Sequence, residues 1–157
     1  MRKLLYILLL FGSLVQAQFT PLVGIVASSG GVTGPVNILG TGGEFNDGTG
    51  WSLAAGWAIS GGTLNGTATT TLASHDSPAI APTNGVTYDI SFDITAHTSG
   101  NLRIRVGGTS SATITISGTG AYTSSVVSGA DGTVKVDDGG AGGAFTGSID
   151  NLVISEQ

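Results

Sequence analysis

The sequence predicts an all-β fold, an antiparallel two-sheet β-sandwich of jelly-roll form with eight to nine strands. Three observations lead there. Residues 86–95, "VTYDISFDIT", alternate Val86, Tyr88, Ile90, Phe92 and Ile94 with Thr87, Asp89, Ser91, Asp93 and Thr95 without a break. That is the period of a strand with one buried face. The pairs Asn65-Gly66, Asn84-Gly85, Asp131-Gly132 and Asp138-Gly139 put turn chemistry between such segments. Glycine makes up 27 of 157 residues with no collagen-like period, and an apolar fraction of 40% is too high for a disordered chain. Many short strands joined by tight turns account for both.

The first 17 residues, "MRKLLYILLLFGSLVQA", join a basic start at Arg2 and Lys3 to an apolar run from Leu4 to Val15. With small or permitted residues at Val15 and Ala17, this is the layout of a secretory signal peptide cleaved after Ala17. A membrane anchor would want a longer run and a charged flank. Residues 18–36 are expected to form an extended arm or linker, because Pro21, Pro35 and the "SSGG" at 28–31 interrupt any period. The apolar "PLVGIV" within it leaves two roles open, a strand added to a sheet edge or a segment that docks a protein partner through residues 18–38.

The sandwich domain is expected over 37–157. Its strands are read at 56–60, 62–67, 69–74, 86–96, 101–107, 111–117, 122–127, 133–136 and 148–155, with turn signals such as the Asx-Gly pairs between them. Segments 86–96 and 101–107, joined by "HTSG", are expected to pair as a hairpin. Opposed residues share a face, so Ile94 would meet Leu102 or Ile104, and Asp93 would meet Arg103 or Arg105. Asp89, Asp93, Arg103 and Arg105 then form either an ordinary surface ion-pair cluster or a polar platform for a hydroxyl-rich ligand.

Charge narrows the partners. Beyond Ala17 three basic residues remain, Arg103, Arg105 and Lys135, against ten acidic ones, a net charge of −7. Nucleic acid and anionic membrane surfaces are poor partners for such a chain. There is no cysteine, hence no disulfide and no thiolate metal site.

Catalytic signatures are weak. "SHDS" at 74–77 places Ser, His and Asp in sequence neighbours, whereas a triad needs them to converge in space. His75 and His97 are read as loop residues, too isolated for a zinc site or a general base. The glycine-rich stretches match neither a dinucleotide fingerprint nor a P-loop. Asp89 and Asp93 have a spacing a glycosidase pair might use, but arginine neighbours would keep both ionised. The chain is read as not an enzyme. Among the aromatics, Trp57 is in phase with Ile59 and suits the core. Trp51 lies in a glycine-rich stretch, and core packing and an exposed sugar-stacking position are both open to it.

The ordered set "GEFNDGTGWSLAAGWAISGGTLNG", "NGVTYDISFDIT", "SGNLRIRVGG" and "FTGSIDNLVIS" resembles the jelly-roll carbohydrate-binding-module-like domains of secreted bacterial glycan-active proteins, and related domains of phage tail-fibre and other virion proteins. The resemblance spans residues 37–155. It implies that the "GEF" and "IDN" segments lie side by side, and that Glu44 and Asp150, with Asp47 more loosely, hold a structural calcium ion, Ca2+, through carboxylate oxygens. Asp150 capping a neighbouring amide is the plain alternative.

These readings give one expected function and one alternative. The first is non-catalytic binding of a polysaccharide or cell-surface glycan, outside the cell or on its surface, through Trp51, Asp89, Asp93, Arg103 and Arg105. The alternative is a structural or adhesion component of an extracellular assembly or phage virion. No membrane contact is expected after signal cleavage.

Overall fold

A computed structural model of the chain describes residues 35–140 and 142–157. The expected signal peptide at 1–17 and all but the last two residues of the 18–36 arm lie outside the described residues.

A 3-10 helix (Gly40–Glu44) is followed by ten strands. They are β1 (Trp51–Leu53), β2 (Trp57–Ser60), β3 (Thr63–Thr69), β4 (Leu72–His75), β5 (Thr87–Ser99), β6 (Arg103–Val106), β7 (Thr109–Ser110), β8 (Gly120–Val127), β9 (Val134–Asp137) and β10 (Phe145–Glu156). They form two five-stranded sheets, β1-β4-β9-β6-β7 and β2-β3-β10-β5-β8, with every pair antiparallel. The two-sheet sandwich is as the alternation requires, with ten strands in place of eight or nine. The additional ones, β1 and β7, are short edge strands with too few residues to show a period.

The alternation of β5 does what the sequence implies. Tyr88, Ile90, Phe92 and Ile94 are buried, while Asp89 is exposed and Ser91 and Asp93 half-exposed. Leu102, Ile104 and Val106 enter the same core from the other sheet. That placement overturns the expected hairpin. Both edges of β5 are occupied, by β10 and β8, and β6 pairs with β9 and β7. The chain leaves β5 through Gly100, whose φ is +83° and where a Cβ would stand 2.6 Å from Phe145 Cα, so any side chain would be strained. It then crosses to the first sheet. A buried face satisfies the alternation whichever sheet supplies it, so the pattern alone does not choose a partner.

Residues 111–117 are also not a strand. Their one ladder contact is the bridge Leu102–Ile114. Ile114 and Ile116 are buried at the expected spacing, but side chains serve the backbone here: Ser111 Oγ accepts from Ile104 N, and Asn101 Oδ1 accepts from Ile116 N.

In β10, Asp150 opposes Asp93 but Val153 opposes Ser91, a one-residue bulge centred on Asn151 at φ 50°. The bulge resets the alternation, so Ile149, Leu152 and Ile154 are all buried despite their uneven spacing. Leu152 and Ile154 also meet the start of the domain. Ile38 N donates to Ile154 O at 2.8 Å, and the 3-10 helix packs against β10.

Candidate functional site

A groove of about 580 Å³ on the second sheet is lined by Asp89, Ser91, Thr123, Ser125 and Ser155 together with Ile90, Ala112 and Ser124. Register explains its polarity. Ser155 and Ser125 both oppose Asp89, and Thr123 opposes Ser91, so these five side chains share the face away from the core. The result is a platform of short hydroxyls around one carboxylate. Asp89 Oδ1 accepts from Gln157 Nε2 at 2.6 Å, which leaves its second oxygen available to a ligand. No aromatic ring is among the described residues lining the groove.

Asp93 lies on the same outer face, and its Oδ2 accepts from Asn151 Nδ2 at 2.8 Å. Its partner across the ladder is Asp150, not an arginine. The expected four-residue platform is therefore split. Arg103 opposes Asp137 and Arg105 opposes Lys135 on the other sheet, so every basic residue beyond Ala17 lies on that outer face. Asp137 is 2% exposed beneath the two guanidinium groups. Arg103 Nε reaches Asp137 Oδ1 at 3.0 Å and Arg105 reaches Oδ2 at 2.6 Å, while Gly139 N also donates to Oδ1. Both arginines are thus committed to an internal carboxylate. Among the described residues, the carboxylates of the second sheet's outer face have no cation opposite them across the ladder. Of the sequence candidates, Asp89 lines the groove and Asp93 does not. Sequence reasoning passed over Ser91, Thr123, Ser125 and Ser155; Ser91 was readable from the alternation of 86–95, whereas the bulge at Asn151 hid the outward position of Ser155.

Trp51 is half-buried. Its ring packs against Phe45 and edge-on against His75, each with centroids 5.2 Å apart, and Nε1 donates to Gly42 O at 2.9 Å. Its polar tip is therefore engaged within the protein, while the ring stays partly exposed. Trp57 is buried as expected, stacks on Phe145 at 5.9 Å and donates Nε1 to Thr71 O.

The two histidines are strand residues, contrary to the loop reading. His97 lies near the end of β5 with Nε2 3.0 Å from Gly100 O. His75 ends β4 and is 4% exposed; burial holds its pKa below the ordinary 6.5, with nearby Asp76 opposing that shift.

The carboxylates suggested for calcium are dispersed in their bonding. Glu44 Oε2 accepts from Asn46, Asp47 Oδ1 from Thr49 N, and Asp150 Oδ1 from Asn151 N. The Thr49 backbone amide, and after it the Thr49 hydroxyl, lowers the Asp47 pKa. Among the described residues no three His, Asp or Glu side chains converge as a metal site would need. The "GEF" segment packs against β10 next to "IDN", with Gly43 close against Leu152 O; nearby, Asn37 Nδ2 donates to Leu152 O and its Oδ1 accepts from Ile154 N, both at 3.1 Å.

No family model and no curated protein matches the chain. Among solved structures, one described as "CBM4 structure and function" is similar, at 19% identity, covering 74% of this chain and 98% of that one with a TM-score of 0.46. The two-sheet architecture described above rests on this chain's own strand pairing.

Proposed function

We propose that the protein is a non-catalytic carbohydrate-binding module that acts outside the cell, and that the groove over β10, β5 and β8 receives the glycan. The observation that carries this reading is the lining itself: Ser91, Thr123, Ser125 and Ser155 around Asp89. Hydroxyls both donate and accept, and a carboxylate accepts strongly, which is the complement of a sugar's vicinal hydroxyls.

Magnitude follows from composition. Each net hydrogen bond contributes about 0.5–1.5 kcal/mol. Four or five of them, with no aromatic stacking in the groove, give a dissociation constant on the order of a millimolar. Binding to a single short oligosaccharide is therefore weak, and a polymer that presents many copies gains through multivalency.

The test is binding of the purified protein to a panel of polysaccharides, in calcium and then in chelator. Saturable binding that Asp89→Ala and Ser125→Leu both abolish supports the reading. Loss in chelator would bring Glu44, Asp47 and Asp150 back as cation ligands. Failure of a folded sample to bind any polysaccharide moves the assignment to an assembly or adhesion component. A second groove favours that alternative: Pro35, Val36, Ile38, Ile80, Thr83, Tyr88 and Glu156 line about 340 Å³, with Val36 and Ile80 exposed where the 18–38 segment joins the domain.

A further inference from the structure

One row of residues in the sheet groove is Ser155 on β10, Asp89 on β5 and Ser125 on β8, each serine directly opposite the aspartate. Opposed side chains on one face have Cβ atoms about 4.5–5.5 Å apart, so a group seated over the Asp89 carboxylate is in reach of both hydroxyls. Ser155 is the informative member. It is 6% exposed. The other buried serines use their hydroxyls inside the protein, Ser111 donating to Ala112 O and Ser128 to Gly129 O. The Ser155 hydroxyl has no hydrogen-bond partner among the described residues, and it is not sealed in as His75 Nδ1 is. It opens onto the groove that the residue lines. Buried hydroxyls are ordinarily bonded, so this one is placed to meet what the groove receives.

The row selects a ligand chemistry. Its free atoms are the second carboxylate oxygen of Asp89, whose first is held by Gln157 Nε2, and the oxygens of the two serines. No described side chain lining the groove carries an N–H donor. The basic residues beyond Ala17 stand on the first sheet, where Arg103 and Arg105 pair with Asp137 and Lys135 pairs with Asp131. An anionic sugar would bring acceptors to a carboxylate, with no cation to meet them. A sugar hydroxyl brings a single donor. A protonated primary amine brings three donors and no acceptor, one for each free oxygen, and its charge strengthens the bond to Asp89. A calcium ion would want about six to eight oxygens, more than the row holds.

Resting on the glycan reading above, we propose that the groove takes an amino-sugar polymer with free, protonated amines, and that Ser155, Asp89 and Ser125 form its ammonium subsite. Ser91 and Thr123, the next opposed pair along β5 and β8 that lines the groove, then meet hydroxyls of the same or the adjoining sugar. A lysine side chain would bring the same ammonium but only methylenes to those hydroxyls, which favours the sugar.

The test is calorimetric titration of the purified protein at about pH 6, where a sugar amine carries its proton. The probes are oligosaccharides of equal length: β-1,4-linked glucosamine, its N-acetylated form, cello-oligosaccharide and oligogalacturonate. The glucosamine oligomer should bind at least about tenfold more tightly than the two neutral ones, a difference of roughly 1.4 kcal/mol, and the galacturonate oligomer should not bind. Asp89→Asn should remove that preference. Ser155→Ala should weaken binding of the glucosamine oligomer at least about fivefold with the thermal midpoint unchanged, since the hydroxyl it deletes bonds nothing within the protein. Asp93→Asn, on the same face but outside the groove, should leave the preference intact, which separates a local contact from general attraction to an acidic surface. Equal binding of the glucosamine and neutral oligomers overturns the inference and leaves the glycan reading standing. So does a preference that Asp93→Asn removes as fully as Asp89→Asn. Oligolysine binding as tightly as the glucosamine oligomer also overturns it and moves the subsite to a basic peptide. Failure of a folded sample to bind any of the oligosaccharides removes the glycan reading as well.

Discussion

Asn37 and Ile154 are joined as two strands would be, but by a side chain. Asn37 Oδ1 accepts from Ile154 N at 3.1 Å, and its Nδ2 donates to Leu152 O at 3.1 Å. One carboxamide therefore satisfies a donor and an acceptor of the closing strand just past its bulge, where the regular ladder is interrupted. Asn37→Ala leaves both groups unpaired and should cost about 1–3 kcal/mol. Asn37→Asp keeps the acceptor but loses the donor to Leu152 O, so it should also destabilise. Urea denaturation at neutral pH measures both. Wild-type stability in the Asp variant would mean that the Leu152 bond contributes nothing.

Gly43 extends the same contact. A Cβ placed there would lie 1.9 Å from Leu152 O, a backbone atom that cannot rotate away. Gly43→Ala should destabilise by about 1–3 kcal/mol or more through forced displacement of β10. Gly61→Ala serves as the comparison, because nothing lies within 4 Å of its Cβ position and only its φ of +62° opposes the change.

The bulge can be tested through backbone strain. Asn151 has φ 50°, which asparagine tolerates and β-branched residues resist. Asn151→Gly relieves the strain while losing the bond to Asp93, so thermal denaturation should show a small change. Asn151→Val should be worse by about 1–2 kcal/mol. Equal midpoints for the two variants would remove the conformational explanation.

Acid should weaken the fold through His75. Its folded pKa lies below the ordinary 6.5 because burial disfavours the charged ring. Above 6.5 both folded and unfolded states are neutral at this site, and its contribution is constant. As pH falls below 6.5 the unfolded chain takes up a proton that the folded chain resists, so stability declines until the folded pKa is passed. Asp76 acts lower still. Its pKa is held below 3.8 by the Ser74 hydroxyl first and the Ser52 hydroxyl second, so its contribution is lost as pH falls from near 3.8. Stability measured from pH 7.5 to 4.5 should slope downward below 6.5, and His75→Gln should flatten that slope.

Removal of the Arg103–Asp137–Arg105 cluster should be costly because its acid is buried. Asp137→Asn withdraws the charge from two guanidinium groups that are about a quarter to a third exposed. Hydrogen bonds to charged groups contribute about 1.5–3 kcal/mol, and the expected loss lies in that range. Asp131→Asn, at the more exposed Lys135 pair, should cost less than about 1 kcal/mol. Chemical denaturation of both variants at one ionic strength gives the comparison.

Much of the fold was legible in local pattern. The unbroken alternation of residues 86–95 determined which side of β5 is buried, and the apolar run at Leu102, Ile104 and Val106 did the same for β6. Trp57 was placed correctly by its phase with Ile59. Period-2 patterns report burial because successive side chains leave a strand on opposite faces. They carry nothing about which strand lies alongside. Pairing depends on which edges are free and where the chain can turn, and both edges of β5 were taken. Asp93 therefore opposes Asp150, while Arg103 and Arg105 enclose Asp137 on the opposite sheet. Residues 111–117 had the right period, but side chains from Ser111 and Asn101 took the bonds that a neighbouring strand would have made. Trp51 was indeterminate in sequence because it follows Gly50, which permits either an open loop or a close approach, and His75 was read as a loop residue because Asp76, Ser77 and Pro78 follow it. Tertiary packing chose the close approach: a Cβ on Gly42 or Gly50 would stand 2.7 or 2.6 Å from an atom of the buried His75 ring.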